Sequence, residues 1–237
     1  MSVPPQRRKT GRMVLLAVGV TCAVVAAAAA GYLYGHRTSA TGTTSATGTA
    51  RSTPSPSGAY VLTTPQSVLS GAFVVDPKNT TPAPATAARD YADLGITSPI
   101  PVSISYKSNS SASEQTVQLT GAWGTLSDPE QVIDRHFAKI AKDAALDTAS
   151  HAALVGPLQT MHPTGLGDAV MKCQNFRTDI QKIPTTSPVC AWADHYTFGE
   201  VMVFDPGALR HGGIGVSLGE NADTAARIRN DARTPRH

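Results

Sequence analysis

The chemistry this chain could perform is concentrated in two cysteines and one dense polar and aromatic run. Cys190 to Gly199 reads CAWADHYTFG, and Cys173 lies upstream of it. Asp194 and His195 are adjacent, and His162 and His211 could in principle join them around a metal ion. No HxxxH, HExxH or CxxC spacing gathers these groups, and adjacent residues on a strand point to opposite faces, so no metal site is expected. A structural reading fits the run better. Trp192 and Phe198 pack, Asp194 caps or makes a turn, and Gly199 permits a close approach or a bulge.

Nucleophilic catalysis needs a serine or threonine activated by a histidine that is itself oriented by an acid. The chain has seven histidines and many serines and acids, so some triple can always be chosen. None lies in a G-x-S-x-G turn or another strand-turn-helix context. A thiol nucleophile is excluded if Cys173 and Cys190 are paired. Gly212, Gly213, Gly215 and Gly219 do not fit a phosphate-binding loop and read as flexible chain. Trp123 and Trp192 each lie on a period-two pattern, which marks core more than an exposed platform for sugars or peptides. No catalytic residue, ligand-binding residue, metal or cofactor is therefore assigned.

The elements that carry these residues begin with a stretch that sets their location. Met13 to Gly35 runs for 23 residues without a charge. At helical rise it reaches about 34 Å, enough to span a bilayer core of roughly 30 Å once. Arg7, Arg8, Lys9 and Arg12 precede it and only Arg37 follows closely, so the basic bias places residues 1–12 in the cytoplasm and the rest outside. Tyr32 and Tyr34 sit where an interfacial aromatic belt belongs. The rival reading is a cleaved signal peptide, for which the alanine run Ala26 to Ala30 supplies a site before Gly31. A lipoprotein fits less well, because Gly19-Val20-Thr21 lacks the usual aliphatic residue three positions before Cys22. Gly19, Ala23, Ala27 and Gly31 share one helical face at small-xxx-small spacing, a route to a homodimer through the membrane helix.

Charge follows the same division. Residues 1–58 hold six basic residues and no acid; removing six from the total of 20 leaves 14 basic against 17 acidic residues beyond them, a net charge of −3. The basic excess is thus a topology signal and not a nucleic-acid footprint. Residues 36–58 are a linker: 20 of these 23 residues are Ser, Thr, Ala, Gly or Pro, from which no core can be built. A coil of that length spans about 25 Å, so the domain stays near the membrane face. Residues 59–237 number 179, enough for one domain with a real core. On the oxidising side of a membrane, Cys173 and Cys190 are expected to form a disulfide.

Along that domain, Tyr60 to Leu62 and Phe73 to Val75 read as short strands, with a short helix opening at Thr64-Pro65 and ending at Gly71 between them. Asp76 to Pro84 is loop, and Ala85 to Leu94 reads as a helix with Ala88, Tyr91 and Leu94 inward. Val102, Ile104 and Tyr106, then Val117, Leu119 and Trp123, recur on the even spacing of two half-buried strands joined across a polar turn. Ser127-Asp128-Pro129-Glu130 forms a capping box for a helix whose stripe is Ile133, Phe137, Ile140 and Ala144. Ala169 to Cys173, Val189 to Ala193 and Thr197 to Phe204 are three strands, the disulfide tying the first to the second and Asp194 to Tyr196 turning into the third. Asn221 caps a last helix with Ala222, Ala225 and Ile228 inward, and the tail after Arg233 frays. Because strands and helices come in blocks, the expected fold is α+β: an antiparallel sheet of five to seven strands with helices mainly on one face.

The runs YVLTTPQSVLSG, GTLSDPE, PTGLGDAVMKCQ and PVCAWADHYTFGEV resemble a group of uncharacterised actinobacterial, streptomycete-type single-pass membrane proteins. Their C-terminal extracytoplasmic domain carries a C…PVC-x-W-A-D-x-x-T-x-G signature. The similarity covers roughly residues 59–233 and implies the architecture alone, with no catalytic or binding residue to carry over. At His195-Tyr196 the chain departs from the shorter polar pair of the group, which weakens a catalytic role for His195. Only 12 residues precede the membrane segment, too few for a cytoplasmic effector domain. The expected function is a membrane-tethered extracytoplasmic domain that binds a protein or envelope component. The alternatives are a structural or assembly factor of the envelope and an extracytoplasmic hydrolase.

Overall fold

The computed structural model describes residues 59–111, 113–180, 182–207 and 215–236. The expected cytoplasmic arm, membrane segment and linker, and His211 with Gly212 and Gly213, lie outside the described residues. Among the described residues no helix is long and apolar enough to cross a membrane.

The chain runs β1 (Tyr60–Leu62), β2 (Ser67–Val68), β3 (Phe73–Val75), α1 (Ala87–Asp93), β4 (Ile96–Ser108), β5 (Thr116–Leu126) and α2 (Pro129–Leu146). It continues with β6 (Ala153–Thr160), β7 (Val170–Ile180), β8 (Ile183–Ala193), β9 (Thr197–Phe204), α3 (Leu218–Ala232) and β10 (Arg233–Pro235). Eight strands form one sheet in the order β2-β3-β4-β5-β9-β8-β7-β6, every neighbouring pair antiparallel. The α+β class holds, but the sheet is larger than the expected five to seven strands.

The helices do not gather on one face as expected. Period two along β8 and β9 makes both faces of the sheet centre apolar. Cys190 and Trp192 with Val201 and Val203 look one way, against Ala222, Ala225 and Ile228 of α3. Val189, Ala191 and Ala193 with Phe198 look the other, against Ile133 and Phe137 of α2. Central strands buried on both sides need a helix on each, and α1 joins α2 through Tyr91 and Leu94.

Two local expectations shift by a residue or more. The N-cap of α2 is Asp128, whose Oδ1 accepts from the Gln131 N–H at 3.0 Å, so Pro129 takes the first helical position. The capping box that does form belongs to α3, between Ser217 and Glu220, which hydrogen-bond each other's backbone N–H groups. Asn221 is therefore inside α3, where its amide donates to Pro188 O and Val201 O and fastens the helix to the sheet.

The short helix expected after Thr64-Pro65 is absent; Ser67 and Val68 pair with β3 instead. Leu69 and Ser70 both adopt a φ of 58°, in the left-handed region, and the Leu69 N–H goes to Asp231 Oδ2 at 2.6 Å. The tail is not frayed either. β10 pairs with β1, the Arg236 N–H reaches Ala59 O at 2.8 Å, and the Arg233 guanidinium lies 3.4 Å from the centre of the Tyr60 ring.

Both sheet edges are blunted. β2 is two residues long, and β6, which the sequence reading passed over, breaks register between Val155 and Gln159, where Gly156 (φ 74°) precedes Pro157.

Cys173 and Cys190 face each other directly across β7 and β8, bonded, with Cα atoms 4.1 Å apart and no exposed surface on either. The separation suits a non-hydrogen-bonded antiparallel pair. Replacing both cysteines by alanine is expected to cost about 3 kcal/mol in equilibrium denaturant unfolding, the chain-entropy value for a closed loop of this size. Alkylation of the denatured, unreduced chain should leave Cys173 and Cys190 unmodified.

Candidate functional site

Adjacent residues at the end of β8 take opposite roles. Asp194 is 1% exposed; its Oδ1 accepts from the Tyr196 and Thr197 N–H groups at 2.9 and 2.8 Å, and its Oδ2 from the Thr197 hydroxyl at 2.7 Å. This is the turn-forming role expected of it. His195 is exposed, with Nδ1 3.1 Å from Leu126 O. The two do not form a catalytic pair. Trp192 is fully buried, and a Cβ on Gly199 would lie 2.3 Å from its ring, so glycine is what lets β9 pass the indole. Trp123 is partly buried and packs on the same core.

Asp194 also faces α3. The Arg229 Nη2 donates to both Asp194 Oδ2 and Asp168 Oδ1 at 2.9 Å, and Arg229 itself is 2% exposed. Burial works to raise the Asp168 carboxyl. The charges of Arg233 and Arg229, with the Arg229 hydrogen bond, outweigh it and hold Asp168 below the usual carboxylate range.

The opposite face carries a cluster that the sequence reading missed. Thr120 of β5 and Glu200 of β9 are cross-strand partners under α1 and α2. Glu200 Oε2 is hydrogen-bonded to His136 Nε2 of α2. Thr120 shares a hydrogen bond with the Tyr91 hydroxyl of α1. The rings of Tyr91 and His136 pack against Phe198 with centroids 5.9 and 4.9 Å from it. Burial first, and then the Glu200 charge, raise the Tyr91 hydroxyl well above its ordinary value against the effect of Thr120. Tyr91 therefore keeps its hydroxyl proton, and Glu200 is held by His136 of α2 with the Tyr91–Thr120 pair beside it.

The signal for this cluster was present but weak. Glu200 stands on the Phe198 and Met202 side of an otherwise apolar strand, and His136 stands beside Phe137, three residues after Ile133, at the margin of the apolar stripe of α2. Neither pattern says that the two meet, because their contact depends on how α2 crosses the sheet. A third ion cluster fixes that crossing: Lys172 of β7, 8% exposed, reaches Glu130 Oε1 at 2.9 Å and Asp134 Oδ1 at 2.6 Å in the first turns of α2.

One step of the pleat beyond Thr120 and Glu200, the same face opens into a shallow trough of about 40 Å³. Its walls are Gln118, Phe176, Thr178, Ile180, Ser187, Met202 and Phe204. Phe176, Met202 and Phe204 are only half-buried. A polar head and an apolar floor thus lie in line along β5 and β9.

A His136→Ala, Glu200→Ala double-mutant cycle should give a coupling of about 1–3 kcal/mol in chemical unfolding, since either single change strands a mostly buried partner. Additive single changes would refute the pairing. For Asp168 the sign follows from its lowered carboxyl. Its ion pair adds stability above the unfolded value near about 3.9, and that contribution is lost as pH falls through the folded one. The stability gap between the wild type and Asp168→Asn should therefore be full at neutral pH and close in strong acid.

The chain matches no family model, and no curated protein or solved structure matches it significantly.

Proposed function

We propose that the chain is a membrane-tethered extracytoplasmic module that binds a protein partner at the envelope through the trough on the sheet face that also carries α1 and α2. The observation that carries this reading is the half-exposed floor of Phe176, Met202 and Phe204 beside the Tyr91, Glu200 and His136 cluster. Partly buried apolar side chains that line a trough on a sheet whose centre is otherwise covered form the kind of apolar patch that marks interaction surfaces. With about 40 Å³ the trough is far smaller than the roughly 300–1,000 Å³ of a small-molecule pocket, so it suits side chains presented by another surface. Blunted edges at β2 and β6 disfavour partner binding by strand addition, which leaves the face. The buried Cys173–Cys190 bond suits an oxidising compartment, in keeping with the uncharged Met13 to Gly35 segment and the basic arm before it.

The test places a photo-cross-linking residue at Met202 or Phe204 in intact cells, with Asn109 on the β4–β5 hairpin as control. A discrete adduct is expected from the two trough positions, absent from Asn109, and lost when the other trough residue is changed to aspartate in a chain that keeps its disulfide. Equal background labelling at all three positions would overturn the reading.

A further inference from the structure

The ion network on the α3 side contains two carboxylates in very different circumstances. Asp194 is 1% exposed and receives two backbone N–H groups and a hydroxyl in addition to Arg229. Asp168 has a side chain 65% exposed, and among the described residues its Oδ1 is the oxygen that meets the guanidinium groups: Arg229 Nη2 at 2.9 Å and Arg233 Nη1 at 3.6 Å. With most of its side chain in water, Asp168 leaves its partners at a smaller desolvation cost than Asp194, so Asp168 is the displaceable member.

The two arginines are held from behind. Arg229 is buried, and Arg233 is sandwiched between the Tyr60 ring at 3.4 Å and Asp194, with Nε 3.3 Å from Asp194 Oδ2 in an ion pair not aligned as a hydrogen bond. Arg229 Nε is buried with no hydrogen-bond partner among the described residues. Donor capacity therefore exceeds what Asp168 uses through a single oxygen. Two guanidiniums against Asp194 leave one positive charge, which Asp168 now balances.

We propose that Arg229 and Arg233 form a binding site for a small oxyanion, a carboxylate or phosphate group of an envelope component, and that Asp168 is the chain's own occupant of that site. Rotation of the Asp168 side chain into solvent vacates it without moving the backbone, because Leu166 is anchored in the core and Gly165 O accepts from Asn230 Nδ2 at 3.1 Å. An incoming anion with two free oxygens spans both guanidiniums, where Asp168 touches them through one; such two-point contacts are the stronger kind. The site lies on the face opposite the trough, so its success or failure is independent of the protein-binding reading.

The experiment titrates acetate, and separately inorganic phosphate, into the full chain in detergent with ¹⁵N-labelled arginine, at constant ionic strength set with chloride. Saturable movement of the Arg229 Nε–H resonance is expected, at least tenfold tighter in Asp168→Asn than in the wild type and lost in Asp168→Asn/Arg233→Gln. Which anion binds identifies the group. No gain for either anion in Asp168→Asn, or retention in the double variant, overturns the proposal. Should Asp168→Asn fail to fold, Asp168→Ser takes its place. In the wild type the tighter anion should raise the melting temperature above the chloride control, and no rise counts against the site.

Discussion

The carboxylate of Asp194 is the point on which the α3 half of the molecule depends. It is sequestered from water at the end of β8, and an isolated charge there would be untenable. Its partners come from three places: the turn into β9, the last turns of α3, and, through a shared arginine, the loop that carries Asp168. One buried charge thereby couples a tight turn, a helix and a loop more than twenty residues away in sequence. Trp192, two residues earlier, fills the core beneath the same helix, and Gly199 gives it room.

The two faces of the sheet are covered differently. On the α3 side the layer is closed by small residues, Ala222, Ala225, Ala226 and Ala232, which let the helix lie close over the disulfide and Trp192. On the other side α1 and α2 are set apart, bridged over the sheet by Tyr91, Thr120, Glu200 and His136, and the sheet beyond the bridge is only partly covered. A closed face confers stability. On the other face the phenylalanine and methionine side chains of the trough stay partly buried and pack on the core from one side only.

Residues whose structure follows from near neighbours were legible in the chain. The alternation at Val102, Ile104 and Tyr106 and at Val117 and Leu119 placed one face of two long strands correctly, and the turn role of Asp194 and the close approach at Gly199 were readable from residue type. The start of α3 was misplaced because Asn221 has the chemistry of a cap; only burial between β8 and β9 turns its amide toward Pro188 and Val201. The short helix at Thr64-Pro65 failed for a similar reason. Tertiary partners, β3 and Asp231, take the backbone groups that a helix would have used.

By itself the sequence determined the α+β class, an antiparallel sheet with helical cover, and the two cysteines most apt to pair, because these rest on local periodicity and on a count of two cysteines in residues 59–237. Tertiary structure alone decided that the helices divide between the faces, that β10 returns to brace β1, and that Glu200 meets His136 while Arg229 meets Asp194. Those contacts join residues up to 177 positions apart, as in Arg236 N–H to Ala59 O. No sequence window reports such pairings, since they follow from strand order and helix crossing, which are set by how both sheet faces are buried at once.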